Sequence, residues 1–342
     1  SNLDRSRFNP VVLTLHPGYG DYWEAPIEAL GIPLFRVKRK KNRLSRLIDI
    51  IKVLRPHHPK LIHGWHTFAS TYAGVSGKLI GAKSLGGIRG SYQAIKNTWE
   101  ARLTRFFCDA VLANSAPTAS AYQAKMARNR QLVFTVPNAV EAHFEDRSTA
   151  RSHLSQAYGL PADGIWVATM GRMDPLKRFD LILNLAATFK VDDAKVHFIL
   201  VGDGPEKESL VALARRINLE DRVTFTGEVP NASRWMKGFD VFCFPSVDEG
   251  LPNVVMEAAA AGLPIVAWGL PFNEALLTDE DSALLVQPGD MNGFTDALTR
   301  LVDSAPLRAR LGSSAQGHIL ANFSLENYIQ KMTAVYEALL GI

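Results

Sequence analysis

The sequence predicts an α/β protein made of two facing, doubly wound, parallel-sheet domains. Three observations lead there. The chain has 342 residues, more than one ordinary core accommodates, so two domains are the expectation. Short apolar runs alternate with helical segments through both halves. Such runs are the pattern of strands buried on both faces and joined by crossover helices. The charge is also split: residues 1–150 hold 22 Lys and Arg against 10 Asp and Glu, a net +12, and residues 151–342 hold 16 against 24, a net −8. A split of that kind supports two domains and points to an anionic partner for the first. The expected division is 1–145 and 146–324, with 325–342 returning to the first domain.

Composition is that of a globular chain, 47% apolar and 21% charged, with no bias towards disorder. The longest apolar stretch, Ala258–Phe272, is interrupted by Gly262, Pro264, Gly269 and Pro271, so no membrane-spanning run is expected. Cys108 and Cys243 sit in different apolar segments and are expected to be buried thiols in a reducing cytoplasm rather than a disulfide.

In the first half, Val11–Leu15 reads as a buried strand and His16–Gly20 as a loop. Tyr22–Leu30 reads as a short helix and Leu34–Val37 as a strand. Arg36–Lys60 carries ten basic residues. Within it Leu44, Leu47, Ile48, Ile51 and Leu54 recur at helical spacing, so Asn42–Leu54 is an amphipathic helix. That helix is either packed with an ordinary solvated face or a basic surface for anionic lipid or a lipid-diphosphate acceptor. Nucleic acid is not expected, because no recognition motif accompanies the charge. Lys60–Ile62 is a strand that ends in His63-Gly64-Trp65-His66-Thr67, before helix Phe68–Ile80. Histidines at the carboxyl end of a parallel strand can face a ligand or be structural. No further cluster completes a metal site around them. Lys83–Ile88 is the next strand and Arg89 follows it, either as a phosphate ligand or as the partner of a surface carboxylate. Val111–Asn114 and Val133–Val140 complete this half.

The linker is expected around Glu141–Arg147, followed by helix Arg151–Tyr158 and strand Trp166–Met170. Gly171 after that strand allows a close backbone approach to a ligand. Arg172 can grip a diphosphate with a bidentate fork, and Lys177 adds a point charge. Val196–Val201 leads into Gly202-Asp203-Gly204-Pro205, a glycine pair that lacks dinucleotide spacing and reads mainly as structural. Val223–Phe225 leads into Gly227-Glu228-Val229-Pro230. Trp235–Phe239 is a helix end, Leu284–Val286 a strand, and Leu325–Leu340 an amphipathic helix.

The stretch Val241–Pro271 carries the most chemistry. Val241–Phe244 and Ile265–Trp268 read as buried strands. Between them Pro252 suits a first helical turn, and Gly262 with Pro264 stops the helix. The free amides of Gly250, Leu251, Asn253 and Val254 lie at the positive end of that helix and favour an anion. Glu249 and Glu257 flank this seat. Carboxylates repel phosphate but accept hydrogen bonds from vicinal hydroxyls. A ligand with phosphates in the middle and polyols at both ends, a nucleotide sugar, fits both facts. Taken by spacing alone, two glutamates eight positions apart are ordinary helix-surface charges.

This stretch resembles the signature of retaining glycosyltransferases of family 4, glycosyltransferase group 1, through PSVDEGLPNVVMEAAAAGLPIVA. The segments GRMDPLKRFDLIL, VGDGP, FTGEV, GGIRGS and VFTVPNAV are similar to that family as well. The resemblance implies the two-Rossmann architecture called GT-B, with the last helix crossing back to the first domain. It implies retaining transfer from a nucleotide sugar to an acceptor hydroxyl by front-face attack. Glu249 would hold the donor sugar and Glu257 the ribose. Arg172, Lys177 and the helix amides would stabilise the leaving diphosphate, with no cofactor and no metal expected. Gly171, Gly202 and the Val229 backbone would line the donor, His66 would assist catalysis, and His63, His66 and Arg89 would face the acceptor. Departures are Arg178 and Ala139, each where the family often has Gly, and Gly269–Phe272 in place of a double glycine. Val11–Leu15 matches the family's second strand, so the first strand, its loop and the first helix are expected to be missing.

The alternatives are a nucleotide-sugar epimerase on the same fold and a non-catalytic nucleotide-sugar-binding module. A phosphorylase would need a pyridoxal-binding lysine site, and none is evident. The expected setting is bacterial cell-surface polysaccharide, lipopolysaccharide or lipid-linked glycan synthesis. The protein would be cytoplasmic and peripheral at the membrane's inner face.

Overall fold

The structure is a computed structural model that describes residues 3–15, 24–37, 42–141, 143–161, 163–189 and 196–342. It divides into two compact units, residues 1–137 with 326–342, and residues 138–325. The expected loop His16–Gly20, Tyr22 at the expected helix start, and Lys38–Lys41 of the basic run lie outside the described residues.

Unit 1 runs β1 (Val12–Thr14), α1 (Glu24–Ala29), β2 (Leu34–Arg36), α2 (Arg43–Leu54), β3 (Leu61–Gly64), α3 (Thr67–Ile80), β4 (Lys83–Ile88), α4 (Tyr92–Ile95), α5 (Trp99–Phe107), β5 (Ala110–Ala113), α6 (Ala116–Lys125) and β6 (Leu132–Thr135). All its pairings are parallel, but they form two sheets: β1 with β2, and the four-stranded order β3-β4-β5-β6. The C-terminal helix α14 (Leu325–Leu340) has the expected bounds. Its Met332, Val335 and Leu339 share a core with Leu85, Ala110 and Leu112 of the four-stranded sheet. Val111 and Ile88 point into a second core with Tyr122 and Met126. The period-2 alternation of a buried strand thus feeds both faces.

Helix α2 forms where its spacing predicts, with Asn42 as N-cap accepting from Leu44 N at 2.9 Å. Its buried face is a correction to the expected stripe. Arg46, Ile50 and Leu54 are buried, whereas Leu44 and Ile48 are exposed at 64% and 46%. The helix packs Ile50 and Leu54 against Val37 and Tyr72, and the Arg46 guanidinium lies over the Phe68 ring at 5.3 Å. Apolar side chains occupy more than one face here, and the neighbours choose which face is covered.

Unit 2 runs α7 (Arg147–Tyr158), β7 (Ile165–Met170), α8 (Phe179–Thr188), β8 (Val196–Val201), α9 (Lys207–Arg216), β9 (Val223–Gly227), β10 (Val241–Phe244), α10 (Asn253–Ala260), β11 (Ile265–Trp268), α11 (Pro271–Glu274), β12 (Leu284–Val286), α12 (Met291–Asp303) and α13 (Ala305–Asn322). Helix α7 begins at Arg147, four residues before expectation, because Asp146 caps it through Thr149 N at 3.1 Å. The expected helix end at Trp235–Phe239 is a 3-10 segment, Ala232–Gly238. Gly269–Phe272, expected as a loop, starts the one-turn helix α11, for which Pro271 supplies the preset φ.

The six-stranded parallel sheet has the order β12-β11-β10-β7-β8-β9. Alternate residues fill two cores. Trp166, Ile199, Phe242 and Ile265 point to one face, and Val167, Phe198, Val241 and Val266 to the other. Cys108 and Cys243 are buried free thiols.

Candidate donor site at the carboxyl ends of β7 and β10

Strand order decides where a ligand can sit. The chain runs outwards from β7 to β8 and β9, then returns to the other side of β7 as β10. The order therefore reverses between β7 and β10, and the loops leaving these two strands lie at the switch point, the place where open α/β sheets bind ligands. Residues 171–177 follow β7, and residues 245–252 follow β10.

Gly171 has φ +151, a region open mainly to glycine, and Gly202 has φ +131. A Cβ on Gly202 would lie 2.0 Å from the Gly171 carbonyl oxygen. Gly171 N donates to Val201 O at 3.0 Å, and Gly202 N donates to Gly227 O at 2.8 Å. The loops after β7, β8 and β9 are thus stitched together, with glycine required where the backbones meet. Val229, past β9, is buried in the unit 2 core.

Arg172 is exposed at this edge, and Lys177 ends a short 3-10 turn capped by Asp174. Lys177 is ion-paired with Glu249. Ser246, buried, places its hydroxyl 3.0 Å from Glu249 Oε1 and 3.1 Å from Leu176 O, and Val247 N donates to Leu176 O at 2.9 Å. The two loops are therefore one assembly. Sequence reasoning overlooked Ser246, although its place three residues before Glu249 in a loop was a usable signal. Arg178 adopts φ +52 and ψ 44, the left-handed geometry for which glycine is the usual choice. Its guanidinium makes a bidentate contact with Asp180, both distances 2.9 Å.

Helix α10 starts one residue later than expected, with Pro252 at the N-cap rather than inside the first turn. Either position spares an amide that would lack a partner. Asn253 Oδ1 accepts from Asn138 Nδ2 at 2.6 Å, a contact that sequence reading did not anticipate. The amides of Gly250, Leu251, Asn253 and Val254 meet no carbonyl among the described residues. At the far end Gly262, φ +79, closes the helix, and Leu263 N donates to Ala258 O at 3.0 Å. Glu257 lies one turn into α10, largely buried, and burial pushes its carboxyl up to about 7. So one carboxylate of the expected pair is matched by a lysine, while the other has no basic partner among the described residues.

In unit 1 the two histidines differ. His66 is exposed and caps α3, its Nδ1 accepting from Phe68 N at 3.4 Å. His63 lies inside β3, with Nδ1 3.0 Å from the Tyr336 hydroxyl. Burial, and then the Arg89 cation, lower its pKa to about 3, so the imidazole is neutral. Trp65 stacks on His63 at 4.4 Å, and the Arg89 guanidinium lies 4.9 Å from the centre of the Trp65 ring. His63 and Arg89 thus share one cluster. Among the described residues no group of three or more His, Cys, Asp and Glu could hold a metal ion.

Comparison with known proteins adds three findings. A family model described as Glycosyltransferase Family 4 matches residues 1–144, and one described as Glycosyl transferases group 1 matches residues 164–304. The lipopolysaccharide core biosynthesis glycosyltransferase LpsD of Rhizobium meliloti is 37% identical over 164 residues, 48% of this chain and 47% of that protein. LpsE of the same organism is 31% identical over 166 residues, 48% of each chain. The matched stretch therefore spans about half the length of these curated relatives. Among solved structures, Anabaena HepE in complex with UDP and glucose superposes with a TM-score of 0.85 at 19% identity, covering 96% of this chain and 91% of that one. The sucrose-phosphate synthase of Thermosynechococcus elongatus gives a TM-score of 0.81 at 21% identity, covering 98% and 90%. Both likenesses concern the GT-B fold.

Proposed function

Because the chain belongs to the family 4 glycosyltransferases of group 1, we propose that it transfers a sugar, with retention, from a nucleoside-diphosphate sugar to an acceptor hydroxyl. The observation that carries this reading is the seat at the switch point of unit 2. There the loops after β7 and β10 are joined by the Lys177–Glu249 ion pair beside the start of α10, and to this place we assign the diphosphate, with Arg172, Lys177 and the α10 amides as its donors and Glu249 and Glu257 beside it.

The chemistry follows from that arrangement. The acceptor oxygen bonds to the anomeric carbon as the bond from that carbon to the diphosphate oxygen breaks. The electron pair leaves with the nucleoside diphosphate, and the acceptor's proton passes to the departing phosphate. Charge grows on the leaving oxygen, so Arg172, Lys177 and the amides of Gly250, Leu251, Asn253 and Val254 act there, the largest expected contribution to rate. Glu249 accepts from sugar hydroxyls and Glu257 from the ribose, with Gly171, Gly202 and the Val229 backbone lining the donor. In unit 1, His63, His66 and Arg89 are assigned to the acceptor side. The relatives' names favour a glycan of the cell surface as product, and the reading places no cofactor in the reaction. UDP, seen with HepE, is the first nucleotide to try.

We further propose that unit 1 works against an anionic membrane surface on the cytoplasmic side. Among the described residues no helix is long and apolar enough to cross a membrane. What supports a peripheral role is the +12 charge of residues 1–150, and Leu44 and Ile48 exposed one turn apart on α2.

Calorimetry tests the donor reading. Arg172→Ala or Lys177→Ala should weaken UDP or GDP binding by roughly 1.5–3 kcal/mol, the range for charged hydrogen bonds. Glu257→Ala should weaken the free nucleotide. Glu249→Ala should spare the nucleotide and harm the nucleotide sugar. Unchanged affinity in both cation variants, for every nucleotide that binds the parent protein, would sink the reading. Product analysis with a labelled donor then separates transfer from epimerisation.

A further inference from the structure

We propose that Ser246 is a positioning residue for Glu249: its hydroxyl holds one oxygen of that carboxylate, Oε1, so that the other, Oε2, is presented to a hydroxyl of the donor sugar. The proposal rests on the donor reading above and deepens it. Three observations carry it. Ser246 is fully buried, and its Oγ lies 3.0 Å from Glu249 Oε1. Lys177 pairs with the same atom, Oε1. Glu249 Oε2 has no partner among the described residues and is not shut off from solvent.

The direction of the hydroxyl follows from its single hydrogen. Two acceptors lie within reach, Glu249 Oε1 and, at 3.1 Å, Leu176 O. The Leu176 carbonyl already receives Val247 N at 2.9 Å. The carboxylate oxygen is charged, and charged acceptors make the stronger hydrogen bonds. The hydrogen therefore goes to Glu249. The serine itself is fixed from both sides. One residue before it, Pro245 O accepts from Trp268 Nε1 at 2.9 Å. One residue after it, Val247 N is tied to Leu176 O. A donor held this way takes from Glu249 the rotamer freedom that meeting a sugar would otherwise cost.

Under the donor reading Lys177 cannot fix Glu249 alone, because the diphosphate claims the same ammonium. That ammonium carries three N–H groups on a flexible stem and can serve both anions. Ser246 is neutral, short and buried, so its hold on Oε1 does not change with what Lys177 meets. With Oε1 taken by two donors, Oε2 is the atom left to accept from the sugar. The alternative is that the hydroxyl only helps to join the loops after β7 and β10. In that case its loss would weaken nucleotide and nucleotide sugar together.

The experiment is calorimetry on the full chain with UDP, GDP, UDP-glucose, UDP-N-acetylglucosamine and GDP-mannose. Ser246→Ala removes the hydroxyl and leaves Leu176 O with its Val247 donor. Its affinity for the free nucleotide should stay within about twofold of the parent protein, while the nucleotide sugar that the parent binds tightest should lose about tenfold, the worth of one hydrogen bond. The double variant with Glu249→Ala should bind that nucleotide sugar no more weakly than Glu249→Ala alone, because the group that Ser246 acts through is gone. Equal losses of nucleotide and nucleotide sugar in Ser246→Ala overturn the proposal. So do nucleotide-sugar affinity at the parent value and additive losses in the double variant. A parent protein that binds a free nucleotide but none of the three nucleotide sugars overturns it too. Failure of the donor reading looks different: the parent protein binds none of the five, and the proposal falls with it.

Discussion

At Glu257 a carboxyl lies largely buried on α10 with no basic partner among the described residues, and burial alone lifts it to about 7. The sign of its effect on stability follows. Between about pH 4.5 and 7 the folded chain holds a proton there that the unfolded chain has lost, so stability falls as pH rises through that window. The full cost above the window is roughly 3 kcal/mol. Glu257→Gln should therefore melt higher than the parent protein at pH 8 and match it near pH 4. Melting curves that run parallel from pH 4 to 8 would show that this carboxyl ionises freely. The same group explains how a carboxylate can stand beside an anion seat: without ligand it is largely protonated below pH 7, and ribose hydroxyls can replace the proton as donors. Glu249 solves the problem differently, through Lys177 and Ser246. Two glutamates alike in sequence thus have unlike surroundings. Arg178 makes a related point, since it holds the left-handed turn that glycine would hold, braced on Asp180.

Among the elements, strands were the easiest to read. Val196–Val201, Val241–Phe244, Ile265–Trp268 and Leu284–Val286 have the bounds expected, because a strand buried on both faces is an almost wholly apolar run, here interrupted once, at His197. Helices with small residues were harder. Helix α6, APTASAYQAK, and α13, which buries Leu311, Gly312, Ala315 and Ile319, pack through Ala, Gly and Thr and so show little apolar period. The pair β1–β2 is the weakest element. Each strand has three residues, none of β1 is fully buried, and among the described residues the pair is not hydrogen-bonded to the four-stranded sheet. A two-stranded sheet is marginal by itself. In native-state hydrogen exchange the amides of β1 and β2 should exchange well before those of β7, β10 and β11. Equal protection would mean that this pair opens only when the whole chain unfolds.

At the scale of the molecule the two units divide the charge. The positive part includes Lys38, Arg39, Lys40 and Lys41, next to the helix that exposes Leu44 and Ile48. If unit 1 meets an anionic membrane, sedimentation with anionic vesicles should bind the chain at low salt and release it as salt rises, because surface charges are screened within about 8–10 Å at physiological ionic strength. Replacing those four basic residues by Gln should weaken binding. Leu44→Ser with Ile48→Ser should weaken it further. Binding that ignores anionic lipid content would end the idea.

The sequence by itself determined the fold class, the positions of the buried strands, and the glutamate pair with its helix. Each of these depends on local pattern, such as apolar runs, turn residues and the spacing along one helix. Only the tertiary structure decided that the loops after β7 and β10 meet at a switch point, that Lys177 pairs with Glu249, and that Tyr336 reaches His63. Those contacts join residues 72 and 273 positions apart. Nothing local encodes such pairings, because strand order and helix packing bring the partners together. The covered face of α2 was undecided for the same reason. Several of its faces carry apolar side chains, and which one is buried depends on Tyr72 and Val37, supplied by other elements.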